Sequence, residues 1–222
     1  MRVFFSVFIL WNCSFGFGQS ARDGFVNVED VIPTIETDIR YYSSDNFVGA
    51  KVDGYKKPIA LLSKQAAKAL TYVQEELEKE GLGLKIFDAY RPQKGVDHFI
   101  RWAKNPSDTL TKRKYYPEVN KRDVFKLGYV ASRSGHSRGS TLDLTIIRLD
   151  TKEELNMGSG WDFFGGISSH GTERITPEQA ANRMKLKAIM EKYGFQAYSK
   201  EWWHYTLRNE PYPDNYFDFD VE

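Results

Sequence analysis

Apolar residues recur every three or four positions between residues 64 and 80. This spacing predicts an α-helix with one apolar face. Ser63 is suited to cap the start of the helix, and Gly81 and Gly83 are expected to end it. The apolar stripe consists of Ala66, Leu70, Val73 and Leu77.

Other segments favour strands and helices in mixed order. Strand patterns cover residues 84–88, 142–147 and parts of 195–207, and helix patterns cover Gln93 to Lys104 and Thr176 to Tyr193. Thr176, Pro177 and Gln179 form a capping signature at the start of the last helix. A polar stretch from Asn105 to Lys121 is expected to mix loop with short helix, and the glycine-rich residues 157–171 are expected to form a long loop. Because the βαβ alternation of parallel sheets is missing, we predict a single α+β domain with a mostly antiparallel central sheet flanked by helices.

The first twenty residues differ in kind from the rest. Arg2 precedes an apolar run from Val3 to Trp11, and small residues follow at Gly16, Gly18 and Ser20. The run is too short for a membrane span, which needs about 20 apolar residues. It is typical of a secretory signal peptide, so we predict a leader at 1–20, an exported mature domain at 21–222, and no stable membrane insertion after leader removal. The alternative is a buried N-terminal element of a cytosolic protein.

Composition narrows the functional classes. Lys and Arg number 31 and Asp and Glu number 30, which gives a net charge of +1. Proteins that bind nucleic acid or membrane surfaces usually carry a basic excess, so no nucleic-acid partner is expected. Cys13 is the only cysteine and lies within the predicted leader. A metal in the mature chain would therefore be held by His, Asp or Glu.

Two of the four histidines lie near other residues that could complete a metal site. His136 lies in a glycine-flanked turn, Asp143 follows seven residues later in a predicted strand, and His204 follows Glu201 by three residues. Catalytic zinc sites use three nitrogen or oxygen ligands and keep a position open, so His136, Asp143 and His204 are candidate ligands of one Zn²⁺ per chain. Glu201 is a candidate general base. On a regular strand, Glu201 and His204 would point to opposite faces, so this assignment requires a bend or turn near Trp202.

Simpler interpretations exist for each of these residues. A histidine beside aromatic residues is often part of the core, and Arg91 is equally compatible with a surface position or a salt bridge at a helix start. Asp162 is also suited to cap a turn. Trp202 and Trp203 are expected to be core or pocket wall. Spacing alone leaves these alternatives open.

Taken together and in order, the motifs resemble the VanX-type D-alanyl-D-alanine dipeptidases, a family of zinc D,D-peptidases. The resemblance spans nearly the whole predicted mature chain. The segment Ser132–Ser140 that continues to Asp143-Leu144-Thr145 is its most specific part. The other matching segments are Asp38–Tyr41, Asp45–Phe47, Asp88–Pro92, Met157-Gly158, Trp161–Phe164 and Glu201–Tyr205.

The resemblance implies roles for individual residues. It implies that His136, Asp143 and His204 bind zinc, that Glu201 is the catalytic base and that Arg91 stabilises the oxyanion. It also implies that a small D-dipeptide is bound at its two ends by Asp162, Ser134 and Tyr41. Asp162 suits the substrate ammonium, whereas the terminus that Ser134 and Tyr41 serve is left open.

Two other functions remain in contention. One is a D,D-carboxypeptidase that trims longer peptidoglycan peptides, and the other is a non-catalytic module that binds wall peptides. The predicted leader departs from the family members that work in the cytoplasm. An exported enzyme would meet peptide fragments outside the membrane, which favours wall-peptide turnover or scavenging over antibiotic resistance.

Overall fold

A five-stranded sheet forms the centre of the protein in a computed structural model that describes residues 22–222. In chain order, the strands are β1 (Phe25–Asn27), β2 (Glu36–Thr37), β3 (Leu61–Ser63), β4 (Leu82–Asp88), β5 (Thr141–Arg148), β6 (Phe195–Ala197) and β7 (His204–Leu207). The helices are α1 (Val28–Val31), α2 (Lys64–Glu78), α3 (Gln93–Ala103), α4 (Lys112–Tyr115), α5 (Val124–Leu127) and α6 (Pro177–Lys192). Short 3₁₀ turns include Arg40–Tyr42, Lys121–Asp123, Gly135–Arg138 and Gly166–Ser168.

The strand order of the main sheet is β2-β4-β5-β7-β6. Only the β2–β4 pair of this sheet is parallel, and the other pairs are antiparallel. Strands β1 and β3 form a separate antiparallel pair. The predicted α+β fold with a mostly antiparallel sheet is therefore confirmed.

The α2 helix has the predicted cap and apolar face. The Ser63 hydroxyl accepts a hydrogen bond from the Ala66 amide at 3.3 Å, and the stripe faces the core. Gly81 follows the helix in the left-handed conformation, with φ +72°. The prediction that Gly83 also ends the helix is wrong. Gly83 lies in β4 opposite Ile147, where a Cβ atom would approach Leu149 Cδ2 to 2.7 Å.

The C-terminal third also follows the prediction in part. Helix α6 begins with the expected capping box of Thr176 and Gln179. The region after it does form strands, but Trp202 and Trp203 lie in the turn before β7 rather than in a strand. Both indoles are buried against the core.

The core lies between the main sheet and the helices α2 and α6. Residues 141–147 of β5 are buried on both faces, and Leu70, Leu144 and Leu186 have no exposed surface. None of the helices in residues 22–222 has the length and hydrophobicity of a membrane span. The predicted signal peptide lies outside the described residues and stays a prediction.

Candidate active site

Strand pairing brings two of the predicted ligands together. Asp143 in β5 lies directly opposite His204, the first residue of β7. Directly opposite residues on one face of an antiparallel pair have Cβ atoms about 5 Å apart, so their side chains meet. Asp143 Oδ1 lies 3.0 Å from His204 Nδ1. His136 reaches the same point from the 3₁₀ turn before β5, with Nε2 at 3.4 Å from Asp143 Oδ1 and 3.3 Å from His204 Nδ1.

The His136 turn is fixed by local contacts. The Ser134 hydroxyl accepts a hydrogen bond from the His136 amide at 3.3 Å. Gly139 ends the turn at φ +81°, where a Cβ atom would meet Phe25 Cε1 at 2.1 Å, so only glycine fits. His136 Nδ1 donates to the Ala89 carbonyl oxygen at 2.7 Å. This bond places the proton on Nδ1 and leaves the lone pair of Nε2 facing Asp143 and His204.

The three side chains influence each other's protonation. Burial alone would raise the pKa of Asp143, but the neighbouring His136 and His204 hold it well below its ordinary range. Burial, together with the charge of Arg91, lowers the pKa of His136. For His204, burial acts in the lowering direction, yet the contact with Asp143 raises the pKa overall. Asp143 is therefore ionised at neutral pH, and its carboxylate lies between the two histidines.

This donor set fits a divalent cation such as zinc. Asp143 Oδ1 is buried and has no hydrogen-bond partner among the described residues, while Oδ2 accepts a bond from Trp161 Nε1 at 3.1 Å. A tetrahedral zinc ion with ligands at about 2.0 Å has ligand atoms about 3.3 Å apart. The distances among the three atoms, 3.0 to 3.4 Å, match this spacing.

Glu201 lies beside the three ligands. Its Oε2 atom is 3.5 Å from His204 Nδ1. The turn that this arrangement requires is present: the His204 amide donates to the Glu201 carbonyl at 3.4 Å, and β7 begins only at His204. Burial raises the pKa of Glu201 to about 7. A carboxyl group with such a pKa can both take up and release a proton near neutral pH.

Arg91 is held in place by a buried carboxylate that the sequence interpretation did not assign to the site. Arg91 Nε and Nη2 donate to Asp88 Oδ2 at 3.0 and 2.8 Å. Asp88 is fully buried, and its other oxygen accepts a bond from Tyr55 Oη at 2.6 Å. The guanidinium also lies over the rings of Tyr41 and Phe99. The sequence did contain a signal for Asp88: it is a charged residue at the end of a predicted strand, three positions before Arg91.

Asp162 and Tyr41 form a hydrogen-bonded pair that lines the same cavity as the candidate ligands. Tyr41 Oη donates to Asp162 Oδ2 at 2.6 Å. Asp162 has φ +58°, a conformation that non-glycine residues adopt infrequently. Burial and the negative charge of Asp143 raise the pKa of Asp162 well above its ordinary value. Residues 157–169, which carry Asp162, are called the Asp162 loop below; apart from one 3₁₀ turn they form no helix or strand.

One cavity of about 290 Å³ is lined by most of these groups. The predicted site residues that line it are Tyr41, Arg91, Ser134, His136, Asp143, Asp162, Glu201 and His204. Aromatic side chains close its sides, among them Tyr129 and Phe164, whose rings stack at 4.7 Å. The structure thus brings together every residue that the sequence interpretation placed in the site.

The chain matches one protein family over nearly its whole length. A family model described as D-ala-D-ala dipeptidase, peptidase family M15, matches residues 21–222. The chain is 44% identical over 199 residues to the D-alanyl-D-alanine dipeptidase of Enterococcus faecium, covering 90% of this chain and 98% of that protein. It is 46% identical over 200 residues to the enzyme of the same name from Enterococcus faecalis, covering 90% and 99%.

A more distant relative and a solved structure extend the comparison. The D-alanyl-D-alanine dipeptidase of Escherichia coli is 32% identical over 182 residues, covering 82% of this chain and 83% of that protein. A crystal structure of a mutant vancomycin-resistance D,D-pentapeptidase with Zn(II) overlaps 70% of this chain and 77% of that one, with a TM-score of 0.40 and 12% identity. The family model and the sequence relatives settle the resemblance seen in the motifs: the chain belongs to the D-alanyl-D-alanine dipeptidase family of the M15 peptidases.

Proposed function

We propose that the protein hydrolyses D-alanyl-D-alanine to two molecules of D-alanine. The observation that carries this proposal is the placement of Glu201, Arg91 and Asp162 around the same cavity as the three candidate ligands. The family match and the names of the relatives support the same activity. A cavity of about 290 Å³ also suits a substrate of dipeptide size.

One zinc ion per chain would be held by His136, Asp143 and His204. When bound, the ion would supply Lewis-acid polarisation of the scissile carbonyl and would lower the pKa of water at the site. The protein's part is to keep the ligands in position. His136 is oriented by the Ala89 carbonyl and Asp143 by the Trp161 indole, and such supporting bonds maintain metal affinity.

Glu201 would act as the general base and then as the general acid. It would take a proton from the attacking water and deliver that proton to the leaving amine of the C-terminal D-alanine. A pKa of about 7 suits both steps, because the carboxylate accepts the proton without holding it too strongly.

Arg91 would stabilise the negative charge that develops on the carbonyl oxygen. Among the described residues, its Nη1 atom donates no hydrogen bond, whereas Nε and Nη2 are engaged by Asp88. The side chain is buried and lines the cavity. A fixed cation in a site that excludes water interacts strongly with a developing oxyanion.

Asp162 would bind the ammonium group of the substrate, supported by Tyr41. Without substrate, burial and the charge of Asp143 outweigh the charge of Arg91, so the pKa of the Asp162 carboxyl is raised and its neutral form is favoured. A substrate ammonium would reverse that preference, because an opposite charge stabilises the carboxylate. Ser134 would contribute a hydroxyl donor to the same substrate, since its oxygen accepts from the His136 amide and its proton is available.

A comparison of three substrates with the zinc-loaded protein tests this proposal. We expect rapid hydrolysis of D-alanyl-D-alanine, weak hydrolysis of its N-acetyl derivative, and weak hydrolysis of a wall pentapeptide that ends in D-alanyl-D-alanine. The last two lack an ammonium group beside the scissile residue. Chelation should abolish activity and zinc should restore it. Dominant cleavage of the pentapeptide would indicate a carboxypeptidase, and binding of the dipeptide without cleavage would indicate a binding module.

Export of the enzyme is a further part of the proposal. It is supported by the short apolar run and small residues within the first twenty positions, and the family match begins only after them, at residue 21. An exported enzyme would act on D-dipeptides released from cell-wall material. N-terminal sequencing of the protein recovered from outside the cytoplasm should show cleavage after Gly18 or Ser20. Recovery of the uncleaved chain from the cytoplasm would contradict export.

A further inference from the structure

Arg183 is a buried cation in helix α6 that the mechanism above does not use. Only 3% of its surface is exposed, and among residues 22–222 it forms no salt bridge with a carboxylate. Burial lowers its pKa to about 10, so the side chain is still charged at neutral pH. A buried charge is costly unless polar groups satisfy it, so its partners must compensate.

All hydrogen-bond acceptors of Arg183 belong to the Asp162 loop. The guanidinium donates from Nε to Met157 O at 2.6 Å, from Nη1 to Ile167 O at 2.9 Å and Ser169 O at 3.1 Å, and from Nη2 to Ser159 Oγ at 3.4 Å. Met157 is the first residue of the loop and Ser169 is the last. One planar side chain therefore connects the two ends of the loop.

Further hydrogen bonds connect the Asp162 loop to the turn that carries Glu201. Ser159 Oγ also accepts a bond from Trp202 Nε1 at 3.0 Å, and the Trp202 amide donates to Ser168 O at 3.0 Å. Trp202 is the residue after Glu201, in the turn that leads to His204. Arg183 thus contacts one end of a network that joins the Asp162 loop to the turn carrying the candidate base.

The Asp162 loop needs such support because its own conformation is unfavourable at the functional position. Asp162 has positive φ, and residues in sparsely populated backbone regions persist only where the surroundings hold them. The loop has no sheet partner near Asp162. It is held by the Tyr41 contact, the Trp161 bond to Asp143, the bond from the Phe164 amide to the Tyr115 carbonyl at 2.7 Å, and the bonds to Arg183. Arg183 is the one of these partners that bonds to both ends of the loop.

We propose that Arg183 is a positioning residue that sets the place of Asp162 and thereby the affinity for the substrate ammonium. This inference rests on the proposed function, because it assumes that Asp162 binds that group. Arg183 touches neither the cavity nor the candidate ligands, so it would act through the Asp162 loop. An ammonium contact present in both the bound substrate and the transition state affects KM more than kcat.

The test compares Arg183→Lys with Leu186→Ala in the zinc-loaded full-length protein. Lysine keeps the positive charge but lacks the planar fork of donors, so a single ammonium nitrogen cannot reproduce all four bonds that Arg183 makes to the loop. Leu186→Ala is the matched control, since it removes a fully buried side chain from the same helix and should lower stability, while a leucine side chain donates no hydrogen bond to the loop. Measurements are the melting temperature, zinc content, KM and kcat for D-alanyl-D-alanine, and hydrogen–deuterium exchange of residues 157–169.

We expect Arg183→Lys to retain zinc and to raise KM roughly 10-fold, with kcat changed less than 3-fold. Amide exchange should rise in the Asp162 loop, whereas Leu186→Ala should lower the melting temperature with KM unchanged. The proposal is overturned if KM stays at the wild-type value, or if both variants change KM and kcat in parallel with the loss of melting temperature.

The exchange measurement separates failure of this inference from failure of the proposed function. If the wild-type protein does not cleave the dipeptide, the proposed activity is wrong, yet increased exchange confined to the Asp162 loop in Arg183→Lys would still support the positioning role. Unchanged exchange in that loop would overturn the positioning role whatever the activity.

Discussion

His204 Nδ1 lies 3.0 Å from Asp143 Oδ1, and the two residues are direct cross-strand neighbours on β7 and β5. The sheet therefore sets the relative position of two of the three candidate ligands. Only His136 depends on a turn, and its imidazole is oriented by the Ala89 carbonyl. A site built mainly on paired strands needs little rearrangement to accept a cation.

Zinc should stabilise the chelator-treated protein. A ligand that binds only the folded state at 100 times its Kd stabilises it by about 2.7 kcal/mol, which corresponds to a rise in Tm of about 5–10 °C for a domain of this size. We expect this shift for the wild type and its loss in His204→Gln. The control is His98→Gln, which changes a histidine outside the cavity and should keep the shift. Equal shifts in both variants would place the metal elsewhere.

Glu201→Gln should bind zinc normally and lose activity. Glutamine preserves the size and position of the side chain but cannot accept the proton from water, and general-base catalysis contributes about 100- to 10,000-fold. The measurements are metal content and the rate of D-alanine release. A rate near that of the wild type would show that another group is the base.

Arg91→Ala should lower kcat by roughly 100-fold or more, because loss of one oxyanion donor typically costs about 3–4 kcal/mol in the transition state. It should also lower the melting temperature, since the buried Asp88 carboxylate loses its cation. Arg174→Ala, which removes only an exposed ion pair with Glu118, should change neither property. Full activity of Arg91→Ala would remove Arg91 from the mechanism.

Asp162→Asn should raise KM by at least 10-fold with a smaller effect on kcat. The amide oxygen can still accept the Tyr41 hydrogen bond, and asparagine tolerates positive φ. What is lost is the charge that pairs with the substrate ammonium. Steady-state kinetics check this, with exposed Asp150→Asn as the control. An unchanged KM would place the ammonium at another residue.

Stability should fall in mild acid partly because of His170. Burial, with the nearby Lys187 and Arg183, lowers the pKa of this histidine to about 4 from an ordinary 6.5. Between pH 6.5 and 4 the unfolded chain binds a proton at this position that the folded protein excludes, so stability falls as the pH is lowered through that range. His170→Gln should lose less stability than the wild type between pH 7 and 5, by about 1 kcal/mol in urea unfolding. His98→Gln is the control, and equal pH dependence of the wild type and His170→Gln would contradict the assignment.

Much of the fold was predictable from local patterns. The apolar stripe of α2, the Ser63 cap and the capping box of α6 each involve residues within one or two helical turns, and their physics is contained in a short stretch of chain. The wrong prediction for Gly83 also came from a local pattern. Glycine is common where helices end, but at Gly83 the lack of a side chain permits the close approach of Leu149, which lies in the turn after β5.

The candidate site divides in a similar way. Residue types and spacing made His136, Asp143, His204 and Glu201 candidates, and the family resemblance added Arg91, Asp162, Ser134 and Tyr41, because motifs of this kind are read along the chain. The turn beside Glu201 and the Asp88–Arg91 pair each join residues three positions apart, and the sequence required the turn but gave Asp88 no role. Tertiary structure alone decided that Asp143 and His204 are strand neighbours and that Arg183 bonds to both ends of the Asp162 loop. These relationships join residues up to tens of positions apart, and sequence periodicity describes only which face a residue occupies, not which distant residue it meets there.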